Sequence, residues 1–223
     1  MSLWFSQLEL ARSSSVQALA GVLLPEDGGQ RRAAHHNLMW SVFSDGPDRD
    51  RDFLWREEGE GRFLTLSSRP PQKSDLFGLS RSQEFAPNLS VGDRLAFKLR
   101  ANATRTKRDG KRVDVVMDAL FGLPKEDRAA RRMELATQEG KAWLARQGGQ
   151  AGFNVINALA EDYRTETLPR HRGPKKDQPQ FGILDLSGVI EITNPAAFLA
   201  QLPVGFGRAK AFGCGMMLVK RAA

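Results

Sequence analysis

An order of strand and helix patterns that comes up twice along the chain limits its possible folds more than any other property. SLWFSQLEL alternates between apolar and polar residues, which predicts a strand, and QRRAAHHNLMWSVF has apolar residues at helical spacing. DFLWREEGEGRFLTL predicts a hairpin around Gly59-Glu60-Gly61, and DRLAFKLRA predicts a strand by strict alternation. The first half therefore has the order strand, helix, strand, strand, an ambiguous stretch near residues 78–85, strand.

The second half has a similar order. VDVVM predicts a short strand and KEDRAARRMELATQEGKAWLARQ a long helix that ends at Gly148-Gly149. The remaining elements are two strands, within FNVINALAEDYRTETL and FGILDLSGVIEIT, a helix capped by Asn194-Pro195, and a last strand, CGMMLVKR.

Both halves approximate β-α-β-β-α-β, the split arrangement of ferredoxin-like (RRM-like) domains. The predicted fold class is α+β, with two tandem ferredoxin-like domains and a cleft between them. The predicted boundaries are an N-terminal domain over residues 1–106, a basic linker over 107–112 and a C-terminal domain over 113–223. A chain of 223 residues is long enough for two domains of about 100 residues each.

Composition excludes several classes of protein. Hydrophobic residues make up 41% and charged residues 26%, which argues against a disordered chain, and no apolar run approaches the roughly 20 residues of a spanning helix. MSLWFSQLELAR lacks the features of a signal peptide, so we expect a cytoplasmic protein with no membrane partner. The single cysteine, Cys214, excludes an internal disulfide and is expected to be buried. No Asp/Glu/His cluster has metal-ligand spacing, so we expect neither metal nor cofactor.

The net charge of +7 suggests a polyanionic partner, and nucleic acid is the first candidate. The basic residues are clustered: RANATRTKRDGKR contains Arg105 and Lys107, and RAARR lies on the predicted long helix. A further cluster, PRHRGPKK, contains Arg170, Arg172, Lys175 and Lys176. Each cluster alone fits a solvated surface equally well. Together they favour a phosphate-binding surface.

The run PVGFGRAKAFGCG is both glycine-rich and basic. It contains Gly205, Gly207, Arg208 and Lys210, and it matches neither a P-loop nor a dinucleotide-binding fingerprint. One interpretation is a phosphate-binding loop with exposed N–H groups. The other is a tight connection in which glycine is needed for steric reasons alone, and the sequence leaves both open.

Several phrases, in order along nearly the whole chain, resemble the CasE family of CRISPR endoribonucleases. They are the first strand, HHNLMWSVF, VGDRLAFKLRANATRTK, KAWLARQGGQAGF and FGRAKAFGCGMMLVK. The glycine-rich basic loop before the last strand is also similar to that of the repeat-associated RNA-binding superfamily. The resemblance implies the tandem fold independently of the strand and helix pattern.

The resemblance also implies an activity. A CasE protein is expected to bind the repeat hairpin of precursor CRISPR RNA and to cut at its 3′ base without a metal, by attack of the 2′-hydroxyl. The cut leaves a 2′,3′-cyclic phosphate, and the product is retained within the Cascade complex beside other subunits. The four cations of PRHRGPKK are expected on the stem, and the glycine-rich loop near the strand that leaves it. The alternative is a non-catalytic RNA-binding or structural subunit of a CRISPR ribonucleoprotein.

A histidine suits the proton transfer in this reaction, and position on the first helix separates two candidates. At about 100° per residue, His35 projects into the middle of the apolar stripe, whereas His36 lies at its margin. The family places its histidine four residues before a tryptophan, as His36 stands to Trp40, so His36 is the predicted catalytic residue. His171 is expected in phosphate contact or plain solvation.

The chain departs from the family at one position. Many relatives carry a tyrosine about one helical turn before the histidine, where this chain has Ala33, and its only tyrosine is Tyr163. The second proton-transfer role is therefore open. Its candidates are Arg31, Arg32, Lys210 and a bound water.

Overall fold

The structure is a computed structural model and describes residues 2–46, 48–167 and 180–222. The chain forms two compact units. The first contains the chain up to Pro87 together with Lys210–Gly213, and the second contains Asn88–Glu166, Phe181–Ala209 and the chain from Cys214. Among the described residues, no helix is long and apolar enough to cross a membrane.

The first unit contains a four-stranded sheet made of β1 (Trp4–Leu10), β2 (Phe53–Glu57), β3 (Arg62–Ser67) and β4 (Phe77–Glu84). The spatial order of the strands is β2-β3-β1-β4, with every neighbouring pair antiparallel. Two short helices, α1 (Ser14–Ala18) and α2 (Ala20–Leu23), and the longer α3 (Gly28–Phe43) connect β1 to β2. The predicted hairpin around Gly59-Glu60-Gly61 is confirmed as the β2–β3 turn.

Asp27 caps the start of helix α3, because its side chain accepts a hydrogen bond from the backbone N–H of Gln30 at 2.9 Å. This contact satisfies one of the unpaired amides at the start of the helix. Apolar side chains at helical spacing, including Met39, Val42 and Phe43, are fully buried against the aromatic residues of β2 and β3. The burial of this stripe fixes which face of α3 is left for other contacts.

Apart from a short hairpin and a short helix after its first strand, the second unit has the element order strand, helix, strand, strand, helix, strand. The strands of its four-stranded sheet are β5 (Arg94–Ala101), β8 (Phe153–Thr167), β9 (Gln180–Ile192) and β10 (Met217–Arg221). Their spatial order is β10-β5-β9-β8. Helix α5 (Arg128–Ala151) connects β5 to β8, and α6 (Pro195–Val204) follows β9. Cys214 is buried, as expected.

The predicted domain boundaries differ from the division in the structure. DRLAFKLRA forms a strand as predicted, but this strand is β5, which pairs with β9 and β10 in the second unit. The fourth strand of the first unit is instead β4, from the stretch that was ambiguous in the sequence, and no helix separates it from β3. Alternation identifies which residues share a face, but it does not identify the partner strand.

The predicted basic linker at residues 107–112 is the turn of a hairpin within the second unit. It joins β6 (Thr104–Thr106) to β7 (Arg112–Asp114), and Lys107 donates its N–H to the carbonyl of Lys111 at 2.8 Å. The predicted strand VDVVM ends early, because the Asp114 side chain accepts from the amides of Val116 and Met117 and begins helix α4 (Val115–Phe121).

The predicted end of the long helix at Gly148-Gly149 is also wrong. Helix α5 continues to Ala151 and stops at Gly152, which has a φ of 74°. Gly148 is a packing residue, because a Cβ at this position would lie 2.4 Å from the carbonyl oxygen of Phe153.

Candidate functional site

The residues Lys210–Gly213, which we call the terminal segment, belong to the first unit and contact helix α3. The Nδ1 atom of His36 lies 3.0 Å from the carbonyl oxygen of Ala211. The His36 ring is also 5.9 Å from the ring of Phe212 and 6.4 Å from that of Trp40, measured between centroids. His36 is half-buried, so its ring combines packing with access to solvent.

His35, the neighbouring residue, is fully buried. Its ring packs edge-on against Phe63 at 4.8 Å, and its Nδ1 lies 3.5 Å from Oε2 of Glu57 on β2. The predicted difference between the two histidines is therefore confirmed as a difference in position: His35 lies in the core and His36 at its margin.

Glu57 carries the negative charge closest to this buried histidine. Burial raises the pKa of the Glu57 carboxyl, but its contact with His35 and the charges of Arg32 and Arg31 lower it more. The net pKa lies below the ordinary value of a glutamate, so Glu57 is ionised at neutral pH.

Two further contacts hold the terminal segment on the first unit. Nη1 of Arg32, on α3, donates to the carbonyl oxygen of Phe212 at 3.2 Å. Gly213 has a φ of 77°, and a Cβ there would lie only 2.8 Å from Cζ3 of Trp55. Glycine is therefore required at this position both by backbone conformation and by the close approach to a buried indole ring.

The contact with Ala211 determines which nitrogen of His36 can accept a proton. A carbonyl oxygen only accepts hydrogen bonds, so Nδ1 carries the proton in this contact. Nε2 is then the proton-accepting nitrogen of the neutral ring. This tautomer is the one that a general base acting through Nε2 requires.

The glycine-rich loop uses much of its backbone within the fold. Three of its backbone N–H groups donate to backbone carbonyl oxygens. The N–H of Gly205 donates to Gln201 at 2.9 Å and that of Phe206 to Gly215 at 2.9 Å. The N–H of Arg208 donates to Asn102 at 3.1 Å. The interpretation as a loop with exposed N–H groups is therefore contradicted at these three positions, and the interpretation as a tight connection fits them. A Cβ on Gly207 would lie 2.6 Å from the Asn102 carbonyl oxygen, which gives this glycine a steric role.

The predicted RNA-binding cations lie in different surroundings. Arg208 is exposed and Lys210 partly exposed. Arg105 and Lys107 both contact the carboxylate of Asp118, which compensates part of their charge. The pKa of Asp118 is lowered by its hydrogen bonds with Lys107 and Arg105. Arg170, Arg172, Lys175 and Lys176 lie outside the described residues, as does His171, so their roles stay predictions.

No group of three or more metal-ligating side chains occurs within residues 2–46, 48–167 and 180–222. The arrangement around His36 consists of an imidazole, a guanidinium and backbone carbonyls, which supports proton transfer and anion binding.

Comparison with known proteins places this geometry in a family. A family model described as "CRISPR associated protein" matches residues 3–221. The chain belongs to the CasE family. It is 28% identical over 190 residues to the CRISPR system Cascade subunit CasE of Escherichia coli K12, which covers 82% of this chain and 88% of that protein. It is 29% identical over 144 residues to the CRISPR-associated endoribonuclease Cse3 of Thermus thermophilus, over 60% of this chain and 59% of that one.

Solved structures of CasE proteins have the same fold. A structure of CRISPR endoribonuclease Cse3 bound to 19 nt RNA superposes with a TM-score of 0.71 at 22% identity, over 99% of this chain and 100% of that one. The crystal structure of Cas6e from Escherichia coli K-12 superposes with a TM-score of 0.63 at 22% identity, over 98% and 100%. The predicted α+β class with two sheets is thereby confirmed.

At the position where the resemblance implies a tyrosine, this chain has Ala33. Tyr163, in the second unit, is buried and its hydroxyl donates to Asp114 at 2.8 Å. Burial raises the pKa of Tyr163, and the charge of Asp114 raises it further. Nε of Arg31 donates to the carbonyl of Pro25 at 2.8 Å, which directs this candidate for the second role toward the loop before α3.

The contact of the terminal segment with α3 was not predicted from the sequence. Gly213 is the residue that could have indicated it, but in the sequence this glycine indicates only a flexible loop. Its contact with Trp55 joins residues 158 positions apart, and nothing local in the sequence indicates such a pair.

Proposed function

We propose that this CasE-family chain is a metal-independent endoribonuclease that binds the repeat hairpin of precursor CRISPR RNA and cleaves at its 3′ base. The observation that carries the proposal is the half-buried ring of His36, whose Nδ1 contacts the Ala211 carbonyl oxygen at 3.0 Å. Family membership supplies the substrate class, since the relatives include an endoribonuclease and an RNA-bound structure.

In the proposed reaction the RNA supplies the nucleophile. The 2′-hydroxyl next to the scissile phosphate transfers its proton to Nε2 of His36, and its oxygen forms a bond to phosphorus. The bond from phosphorus to the 5′-oxygen breaks, and this oxygen leaves with a proton as a 5′-hydroxyl. The other product is a 2′,3′-cyclic phosphate. The donor of the leaving-group proton is open between Arg31, Lys210 and a bound water, because Arg32, the fourth candidate from the sequence, is buried and donates to the Phe212 carbonyl oxygen.

Binding rests on phosphate contacts. A-form RNA hides its base edges in a deep major groove, so clustered cations suit recognition of a stem through its phosphates and 2′-hydroxyls. We assign the stem to Arg170, Arg172, Lys175 and Lys176, and the departing strand to Arg208, Lys210 and the loop around Gly205 and Gly207. Asp118 compensates part of the positive charge of Arg105 and Lys107, and the remainder attracts the RNA phosphates. The affinity is expected to fall steeply as salt increases.

The proposal includes the assembly and the finer fold. One relative is named as a Cascade subunit, and we infer that this cytoplasmic chain retains its product within such a complex. If the strands of each sheet are numbered one to four along the chain, both sheets have the spatial order 4-1-3-2. This order supports two ferredoxin-like domains. The first of them would lack the helix between its third and fourth strands.

The test is single-turnover cleavage of the host's own repeat RNA in excess chelator, with mapping of the ends formed. We expect a 2′,3′-cyclic phosphate, and we expect His36→Ala to abolish cutting while hairpin binding survives. Asn37→Ala is the matched control, since Asn37 is the next residue on α3 and is exposed. Unchanged cutting by His36→Ala would transfer the catalytic role elsewhere. Absence of cutting by the wild type, with tight binding, would favour the non-catalytic subunit.

A further inference from the structure

Two side chains on adjacent turns of α3 contact two consecutive carbonyls of the terminal segment. His36 lies 3.0 Å from the oxygen of Ala211, and Nη1 of Arg32 donates to the oxygen of Phe212 at 3.2 Å. The side chains of residues i and i+4 lie one above the other on a helix. One face of α3 therefore provides two hydrogen-bond donors, Arg32 and His36, for the terminal segment.

We infer that Arg32 is a positioning residue that holds the terminal segment so that the Ala211 carbonyl selects the Nδ1-protonated tautomer of His36. Its effect on cleavage rests on the proposed function, whereas its effect on the tautomer does not. Arg32 is only 6% exposed, so its side chain is packed inside the first unit.

The charges around Arg32 suit such a fixed role. Arg32 interacts through its charge with Glu57 on β2, and this charge is one of the causes that lower the pKa of the Glu57 carboxyl. A buried guanidinium needs a nearby negative charge, and Glu57 supplies it while the guanidinium donates to the Phe212 carbonyl oxygen.

The selected tautomer is not the one that free histidine prefers in water, where the proton resides mainly on Nε2. A His36 ring released from Ala211 would return toward that preference and lose the lone pair on Nε2. One hydrogen bond contributes about a fivefold change in an equilibrium of this kind. We therefore expect loss of the Arg32 contact to lower the single-turnover cleavage rate about fivefold near neutral pH, with hairpin affinity unchanged.

The decisive variant is Arg32→Met, which removes the donor and keeps an unbranched side chain that tolerates burial. The first measurement is the ¹⁵N and ¹H NMR spectrum of the histidine rings in the RNA-free protein, which reports the protonated nitrogen of His36. The wild type is expected to show the Nδ1-protonated form, and Arg32→Met a shift toward the Nε2-protonated form. Arg32→Lys retains a cationic donor and is expected to restore the wild-type pattern at least in part.

The second measurement is the rate of single-turnover cleavage near neutral pH, together with hairpin affinity, in the wild type, Arg32→Met and Arg32→Lys. The inference expects about a fivefold lower rate in Arg32→Met at unchanged hairpin affinity, and recovery in Arg32→Lys at least in part. A purely structural role for Arg32 would lower the unfolding temperature and leave the NMR pattern unmoved, and that result would overturn the inference. If Arg32→Met does not fold, Arg32→Met combined with Glu57→Gln removes both charges and serves in its place.

The two proposals fail in different ways. If His36→Ala still cleaves RNA, the proposed function is wrong, and the NMR comparison still decides whether Arg32 selects the tautomer. If the wild-type ring already shows the Nε2-protonated form, the positioning role is wrong, whatever the cleavage assays give.

Discussion

Substitution of Gly213 by alanine should separate stability from activity in this protein. Gly213 has a φ of 77°, and a Cβ at this position would lie 2.8 Å from Cζ3 of the buried Trp55 ring. An L-residue with this φ costs roughly 1–2 kcal/mol. Crowding a packed core adds typically about 1–3 kcal/mol, so holding the native position would cost about 2–5 kcal/mol.

A second response is available to the chain. Moving the terminal segment off α3 gives up the contact of the charged Arg32 with Phe212, at about 1.5–3 kcal/mol, and the His36 contact with Ala211, at about 1 kcal/mol. This total of about 2.5–4 kcal/mol does not exceed the upper part of the cost of staying. The segment is therefore expected to move when the steric cost is at its upper end, and the loss of global stability should stay within about 4 kcal/mol.

The assays are thermal unfolding, hairpin binding and single-turnover cleavage of repeat RNA. We expect Gly213→Ala to unfold at a lower temperature, to bind the hairpin, and to cleave at least fivefold more slowly because His36 loses its carbonyl partner. Gly149→Ala is the control, since a Cβ there meets nothing within 4 Å and alanine favours the helix. Wild-type cleavage by Gly213→Ala, with full loss of stability instead, would refute the reasoning.

Two further substitutions test the charges. Glu57 has a lowered pKa, so its ionised form stabilises the fold above its ordinary pKa of 4.5, and this contribution is lost as the pH falls through the folded-state pKa. Glu57→Gln should thus be less stable than the wild type at pH 7 and approach it below pH 4.5, as measured by denaturant unfolding; a constant difference would contradict this. Asp118→Asn should release Arg105 and Lys107, raising RNA affinity a few-fold at low salt and steepening the salt dependence, whereas Glu60→Gln, with the same charge change on the β2–β3 turn, should do less.

Local patterns in the sequence predicted the position of individual side chains well. The angular position of residues on α3 separated a buried His35 from a marginal His36, because the helix period fixes which side chains share the apolar face. Other local signals, a glycine-containing turn and an Asn-Pro cap, predicted the β2–β3 hairpin and helix α6. In each case the information lies within a few residues.

Partners far apart in the chain could not be predicted in this way. The alternation of β5 predicted a strand, but it did not predict whether that strand belongs to the sheet of the first unit or to that of the second. Asp114 overrode the strand pattern of VDVVM by capping α4. The carbonyl oxygens of Asn102 and Gly215 accept from loop amides that one interpretation left free for a phosphate, and the pair Asn102–Arg208 joins residues about a hundred positions apart.

The His36 contact with Ala211 joins residues 175 positions apart, which bears on when the protein becomes competent during synthesis. Helix α3 leaves the ribosome long before residue 211 is translated, and the strands that cover it follow soon afterwards. A nascent chain of that length has the imidazole but lacks the backbone oxygen that orients it. If the proposed function holds, competence to cut RNA should therefore arise only late in translation, once residue 211 has been made.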